Sequence, residues 1–97
     1  SAGNAVSRVQ SLGIIETFSV AAMIVAADAA VKAGEVDLIE IRLGMGLGGK
    51  SFTTLTGDVA AVKSAVEAGA KTAADKGLLV RQVVIPSPHK NLIPSIL

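Results

Sequence analysis

The chain has 97 residues, of which 51% are apolar and 18% are charged, with a formal net charge of +1. This length fits a single domain, so we interpret residues 1–97 as one domain with one core. The near-neutral charge and the presence of only two aromatic residues exclude a basic, base-stacking surface for nucleic acid. Without cysteine, the chain alone cannot build a disulfide framework or a thiolate-held cluster. Its mean hydropathy of +0.60 is high for a small monomer and favours an oligomer.

The first elements along the chain are predicted to be a strand and a helix. Residues 9–17 are strand-like, and Thr17 or Ser19 can cap the helix that follows. Three- and four-residue spacings on that helix predict one buried stripe, formed by Val20, Met23, Ile24, Ala27 and Val31. Gly34 ends the helix.

Two strands and a glycine-rich loop come next. Residues 36–43 alternate apolar and polar side chains with a period of two, which predicts a strand. Residues 52–56 are rich in β-branched and aromatic side chains and predict another strand, which stops at Gly57. The loop between them is therefore a connection between two antiparallel strands.

A second helix and a last strand complete the predicted fold. Asp58 is the expected N-cap of the helix, Gly77 follows its end, and its buried stripe comprises Val59, Val62, Val66, Gly69 and Ala73. Residues 78–85 form the last strand, stopped by Pro86. The order βαββαβ predicts an α+β, ferredoxin-like sandwich with two helices on one face of an antiparallel sheet. Residues 1–8 are expected to be a flexible N-terminal segment and residues 89–97 a C-terminal tail.

The loop at Gly44–Ser51 matches two phosphate-binding patterns, G-x-x-x-x-G-K-[ST] and G-x-G-x-x-G. Both patterns require a helix directly after the loop, because the phosphate is bound by amides at a helix N-terminus. A strand is predicted there instead. We therefore expect the loop not to bind nucleotide.

The chain shows no catalytic constellation. His89 is the only histidine and lies in a predicted turn, and nothing marks Glu16 and Asp28 as paired carboxylates. We therefore predict no catalytic residues, no metal site and no cofactor. The apolar run at residues 20–27 is too short to span a bilayer, and residues 1–4 lack a signal-peptide pattern, so the expected location is the cytoplasm, with no membrane or nucleic-acid partner.

Four segments of the chain, at residues 12–17, 26–33, 56–70 and 84–89, carry a resemblance to a known family. They read LGIIET, AADAAVKA, TGDVAAVKSAVEAGA and VIPSPH. In this order they resemble the shell proteins of bacterial microcompartments, and the similarity extends over residues 9–94. Among these proteins, the chain is most similar to the second half of tandem-domain, trimer-forming members.

The resemblance implies a flat hexagonal tile in which six domains surround a central pore. It places the pore loop at Gly46, Leu47, Gly48, Gly49 and Lys50. It places the tile edge at Asp28, Lys32 and Ser87, although the family commonly has Arg where Ser87 stands. The implied partners are further copies in a six-domain ring, other shell proteins in a lateral array and the encapsulated enzymes, and the implied location is the microcompartment shell in the cytoplasm.

Two alternative functions remain from the sequence. The first is a ring-forming sensor of ferredoxin-like topology that binds a small anionic effector at residues 44–51. The second is a nucleotide-hydrolysing enzyme, which only the motif match supports.

Overall fold

The computed structural model describes residues 10–44 and 49–86. These residues form four strands and two helices in the predicted order. The elements are β1 (Ser11–Thr17), α1 (Val20–Ala33), β2 (Asp37–Arg42), β3 (Ser51–Gly57), α2 (Val59–Ala74) and β4 (Leu79–Ile85).

The strands form one antiparallel sheet in the order β2-β3-β1-β4. Side chains of the two central strands alternate between buried and half-buried along their whole length, because successive residues point to opposite faces. The buried set faces the helices, whereas the other set lies on the open face of the sheet. The predicted ferredoxin-like sandwich is confirmed.

Both helix starts lie where the sequence indicated. The hydroxyl of Ser19 accepts a hydrogen bond of 2.9 Å from the backbone N–H of Ala22, so Ser19 rather than Thr17 is the N-cap of α1. Asp58 is the N-cap residue of α2, but its side chain makes no capping hydrogen bond. After α2, Gly77 adopts a positive φ of 70°, which glycine tolerates without steric cost.

The core lies between the helices and the central strands. It contains Ile15, Met23, Ala26, Ala30, Leu55, Val62, Ala65 and Val66. The predicted stripe of α1 was wrong in part, since Val20, Ile24 and Val31 are exposed and the helix buries Met23 and its alanines instead. On α2, Val62, Val66, Gly69 and Ala73 are buried as predicted, but Val59 is exposed. On α1 the reason is close packing against Gly69 of α2, which selects small residues for the buried face, whereas Val59 is the first residue of α2.

Strand β2 forms an edge of the sheet and is largely exposed. Its pairing with β3 shifts by one residue between Leu38 and Glu40, so Ile39 has no partner in the register. This bulge interrupts the alternation that the sequence predicted. As a result, β2 presents Leu38, Ile39 and Ile41 to the surface.

Candidate functional site

The loop between β2 and β3 closes on itself at the edge of the sheet. The N–H of Gly44 donates to the Ser51 hydroxyl at 3.0 Å, and the N–H of Gly49 donates to the Gly44 carbonyl at 3.2 Å. Residues 45–48 connect the two sides of this neck. Three of the predicted pore residues, Gly46, Leu47 and Gly48, therefore lie outside the described residues.

Closure of the neck explains two of the glycines. A Cβ atom on Gly44 would lie 2.5 Å from the carbonyl carbon of Gly49, which is far inside van der Waals contact and involves backbone that cannot rotate away. Gly49 has a φ of 84°, which is strained for residues with side chains. These glycines are needed by the loop itself, whatever surrounds it.

The neck also removes the basis for phosphate binding. Strand β3 begins at Ser51, so the prediction of a strand in place of a helix is confirmed. Ser51 is fully buried, and its hydroxyl oxygen is engaged by the Gly44 amide. Lys50 is exposed, and the described residues give it no ion-pair partner.

The two described residues of the predicted tile edge form an ion pair on α1. Lys32 Nζ lies 2.8 Å from Asp28 Oδ2, one helical turn away, and both side chains are mostly exposed. An exposed pair of this kind contributes little to stability, typically less than about 1 kcal/mol. Lys32 can therefore exchange this partner for another acceptor at low cost. Ser87 lies outside the described residues.

The loop neck and the Asp28–Lys32 pair lie at opposite ends of the domain. Ser51, at the neck, pairs with Thr17 at the end of β1 that leads into α1. Gly57, at the other end of β3, lies beside Glu35 and Val36, which follow α1. Since α1 has 14 residues, these ends are separated by about 20 Å.

The exposed apolar side chains are a feature that the sequence did not locate. Phe18, Val59 and Ile85 are exposed elsewhere, and the others lie on α1, on β2 or next to β2: Val20, Ile24, Val25, Val31, Leu38, Ile39, Ile41 and Leu43. We call this set the aliphatic surface. The high mean hydropathy signalled that such a surface exists, but both faces of α1 are apolar, so periodicity could not show which one is buried.

The described residues contain neither a metal-binding group of side chains nor a helix that could span a membrane. Among residues 10–44 and 49–86, no group of acidic residues, histidines or cysteines is arranged to bind a metal ion. Within the same ranges, neither helix has the length and apolar character needed to cross a bilayer.

Comparisons with known proteins identify a family and several relatives. The BMC domain family matches residues 11–88. The shell protein PduT of Citrobacter freundii is 47% identical over 92% of this chain and 48% of its own length. The shell protein EutM of Escherichia coli K12 is 45% identical over 86% of this chain and 84% of its own length.

A solved structure is similar as well. The crystal structure of a microcompartment protein from Desulfitobacterium hafniense DCB has a TM-score of 0.81 and 64% identity, and the match covers 89% of this chain and 48% of that one. The chain thus spans about half the length of PduT and of the Desulfitobacterium protein. With most of its residues matched by the family and several relatives above 40% identity, this chain belongs to the BMC domain family.

Proposed function

We propose that this domain is a structural subunit of a bacterial microcompartment shell and forms one sixth of a hexagonal tile with a central pore. Its relatives PduT and EutM are named as shell proteins, and a structural role rather than an enzymatic one fits this chain. The domain then resides in the microcompartment shell.

The observation that carries this proposal is the placement of the loop neck and the Asp28–Lys32 pair at opposite ends of the domain. A tile subunit must reach from a symmetry axis to the perimeter, and a cyclic ring places the same end of every subunit at that axis. With the loop at the axis, Asp28 and Lys32 lie on the outer side. Ser87 is assigned to the same perimeter by family resemblance.

The aliphatic surface supplies the contact between neighbouring domains. Its members on α1 and β2 are too numerous to be the scattered apolar residues of an ordinary monomer surface. Burial of apolar area contributes about 25 cal/mol per Å², so ring closure removes the largest unfavourable contact of the isolated domain with water. The edge of β2 is covered in the same step.

The pore is assigned to Gly46, Leu47, Gly48, Gly49 and Lys50. Several copies of Lys50 and of the loop amides near one axis favour small anionic and polar metabolites over cations. The preference is modest, because the Debye length is only about 8 Å at physiological salt.

Six domains can be supplied in two ways. Six copies of a single-domain chain close the ring, or three chains close it with two such domains each. The matches to about half of PduT and half of the Desulfitobacterium protein favour the second arrangement, and the family resemblance of the sequence assigns this domain to the second half. Other shell proteins in the lateral array and the encapsulated enzymes complete the proposed partners.

The mass of the assembly in solution tests this proposal. Light scattering coupled to size-exclusion chromatography should give a mass of six domains, and negative-stain images should show hexagonal discs with a central hole. A full-length protein that stays monomeric at micromolar concentration, or discs with the loop on the rim, would refute it.

A further inference from the structure

One row of three charged side chains and a phenylalanine crosses the open face of the sheet. In the strand register, Arg42 on β2 is opposite Phe52 on β3, Phe52 is opposite Glu16 on β1, and Glu16 is opposite Arg81 on β4. Directly opposite residues on one face are close enough for their side chains to interact. The proposed shell function uses only one residue of this region, Lys50.

A cavity of about 390 Å³ lies along this row, lined by Ile14, Glu16, Lys50, Phe52 and Arg81. Its volume is within the range of small-molecule sites, about 300–1,000 Å³. It combines an apolar part, from Ile14 and Phe52, with three charged side chains. The cavity is formed within a single domain, so it does not depend on ring formation.

The charged wall of this cavity is ordered by an ion pair. Arg81 Nε lies 2.9 Å from Glu16 Oε1, and the Glu16 side chain is only 20% exposed. The guanidinium carries five N–H donors, and the Arg81 side chain is 64% exposed. The ion pair therefore keeps Arg81 beside the cavity wall while its guanidinium carries donors that an anion can use.

The charges beside the cavity leave one positive charge in excess. The Glu16–Arg81 pair is neutral in sum, and so is the neighbouring pair of Arg42 with Glu40, whose closest atoms are 3.0 Å apart. Lys50 adds a positive charge with no ion-pair partner among the described residues. This excess matches a monoanion, whereas a dianion would bring a second negative charge close to Glu16.

We propose that this cavity binds a small organic monocarboxylate. The carboxylate contacts the Lys50 ammonium and the guanidinium of Arg81, and a short aliphatic chain packs against Ile14 and Phe52. Phe52 has a fixed place in the wall, since Arg42 Cζ lies 5.8 Å from its ring centroid, within the range of a cation–π contact. Because Lys50 also borders the loop neck, the bound molecule lies next to the proposed pore.

Methyl NMR on the full-length protein tests this inference, with butyrate as the probe. Two neighbouring isoleucines of β1 act as reporters, since Ile14 lines the cavity and Ile15 is fully buried on the opposite face. Titration at constant ionic strength should shift the Ile14 δ-methyl signal in a saturable way and leave that of Ile15 in place. The absence of a saturable shift at Ile14 would overturn the proposal.

Two matched probes examine the ligand class. Propylammonium has the same three-carbon alkyl chain with the opposite charge, and formate has the same carboxylate without the chain. Both should bind at least about threefold more weakly than butyrate, in line with the loss of one charged or apolar contact. Equal binding of propylammonium would refute the charge argument, and equal binding of formate would refute the apolar contact.

Two lysine variants examine the role of Lys50. Lys50→Gln should weaken butyrate binding about threefold to fivefold, because exposed charge pairs are worth up to about 1 kcal/mol. Lys63→Gln, at an exposed position on α2, should leave it unchanged. Equal effects of the two variants would overturn the proposed contact, and the Ile14 shift would report on the cavity even in a protein that forms no ring.

Discussion

Small residues determine how closely the two helices approach each other and the sheet. A Cβ atom on Gly69 of α2 would lie 2.6 Å from the carbonyl oxygen of Ala26 and 2.7 Å from Ile15 Cδ1. A Cβ atom on Gly13 of β1 would lie 2.5 Å from Val66 Cγ2. These positions are occupied by glycine because the neighbouring atoms fill the space of a methyl group.

This packing predicts the effect of Gly69→Ala. In a helix interior, glycine is about 1 kcal/mol less favourable than alanine, so propensity alone predicts stabilisation. Overpacking costs about 1–3 kcal/mol, and a backbone carbonyl 2.6 Å away cannot move as a side chain would. We expect a net loss of up to about 2 kcal/mol in the free energy of unfolding, measured by urea denaturation at fixed protein concentration.

A matched substitution on α2 separates packing from propensity. Ser64 is exposed on the same helix, so Ser64→Ala should increase the free energy of unfolding by a few tenths of a kcal/mol. If Gly69→Ala increases the free energy of unfolding to a similar degree, α1 and α2 can move apart to fit the methyl group without loss of stability.

At the scale of elements, the sequence was sufficient for the order and type of every strand and helix. Long periodic segments bounded by Ser19, Gly34 and Gly77 define these elements with local signals. The buried face of α1 could not be predicted, because alanine and larger aliphatic residues alternate around the whole helix and only the close contact with α2 selects the alanines. The bulge at Ile39 also depends on pairing with β3, which is a non-local contact.

The strand after the loop predicts that ATP is not bound at Gly44–Ser51. The loop lacks a following helix with its aligned amides, and the Ser51 hydroxyl is buried in the neck. In calorimetric titrations, we expect a dissociation constant for ATP weaker than about 1 mM, which corresponds to about 4 kcal/mol. Tighter binding that Lys50→Ala abolishes would contradict this expectation.

The exposure of the edge strand β2 predicts how a charged side chain at Ile39 would affect the contact between domains in the ring. Ile39 is 56% exposed and lies in the bulge of β2, so Ile39→Glu should leave the isolated domain folded. In the ring, the same carboxylate would be buried without a partner, which costs several kcal/mol. We expect the assembly to dissociate in light-scattering measurements with the circular dichroism spectrum retained. Ser64→Glu, on α2, should leave the assembly intact, and an intact ring in both variants would exclude β2 from the contact.

At the scale of the whole molecule, the fold supports the pore and edge assignments only by showing where the loop neck and the Asp28–Lys32 pair lie in the domain. Periodicity predicted the elements, and resemblance to a family suggested which residues line the pore and the edge. The sheet register then showed that Ser51 pairs with Thr17, close to the start of α1, whereas Gly57 lies beside Glu35 and Val36, which follow α1. No local pattern contains these contacts. The Glu16–Arg81 pair was not foreseen for the same reason, since it joins residues 65 positions apart that only the β1–β4 pairing brings together.

The distance between the loop neck and Lys32 predicts that Lys32→Ala weakens the contacts between tiles and leaves the contacts within a tile unchanged. Lys32 lies in the last turn of α1, far from the loop neck, and its partner Asp28 is exposed as well. In a lateral array, its aliphatic stem can pack on a neighbouring tile while the ammonium meets backbone carbonyls. Each such contact is worth up to about 1 kcal/mol, and the loss is repeated at every domain of the perimeter. We expect Lys32→Ala to form far fewer extended arrays in negative-stain images, with an unchanged ring mass in solution.

Lys63→Ala, which removes an exposed lysine from α2, should preserve both arrays and rings. Dissociation of the ring by Lys32→Ala would place this residue within the tile instead of on its perimeter.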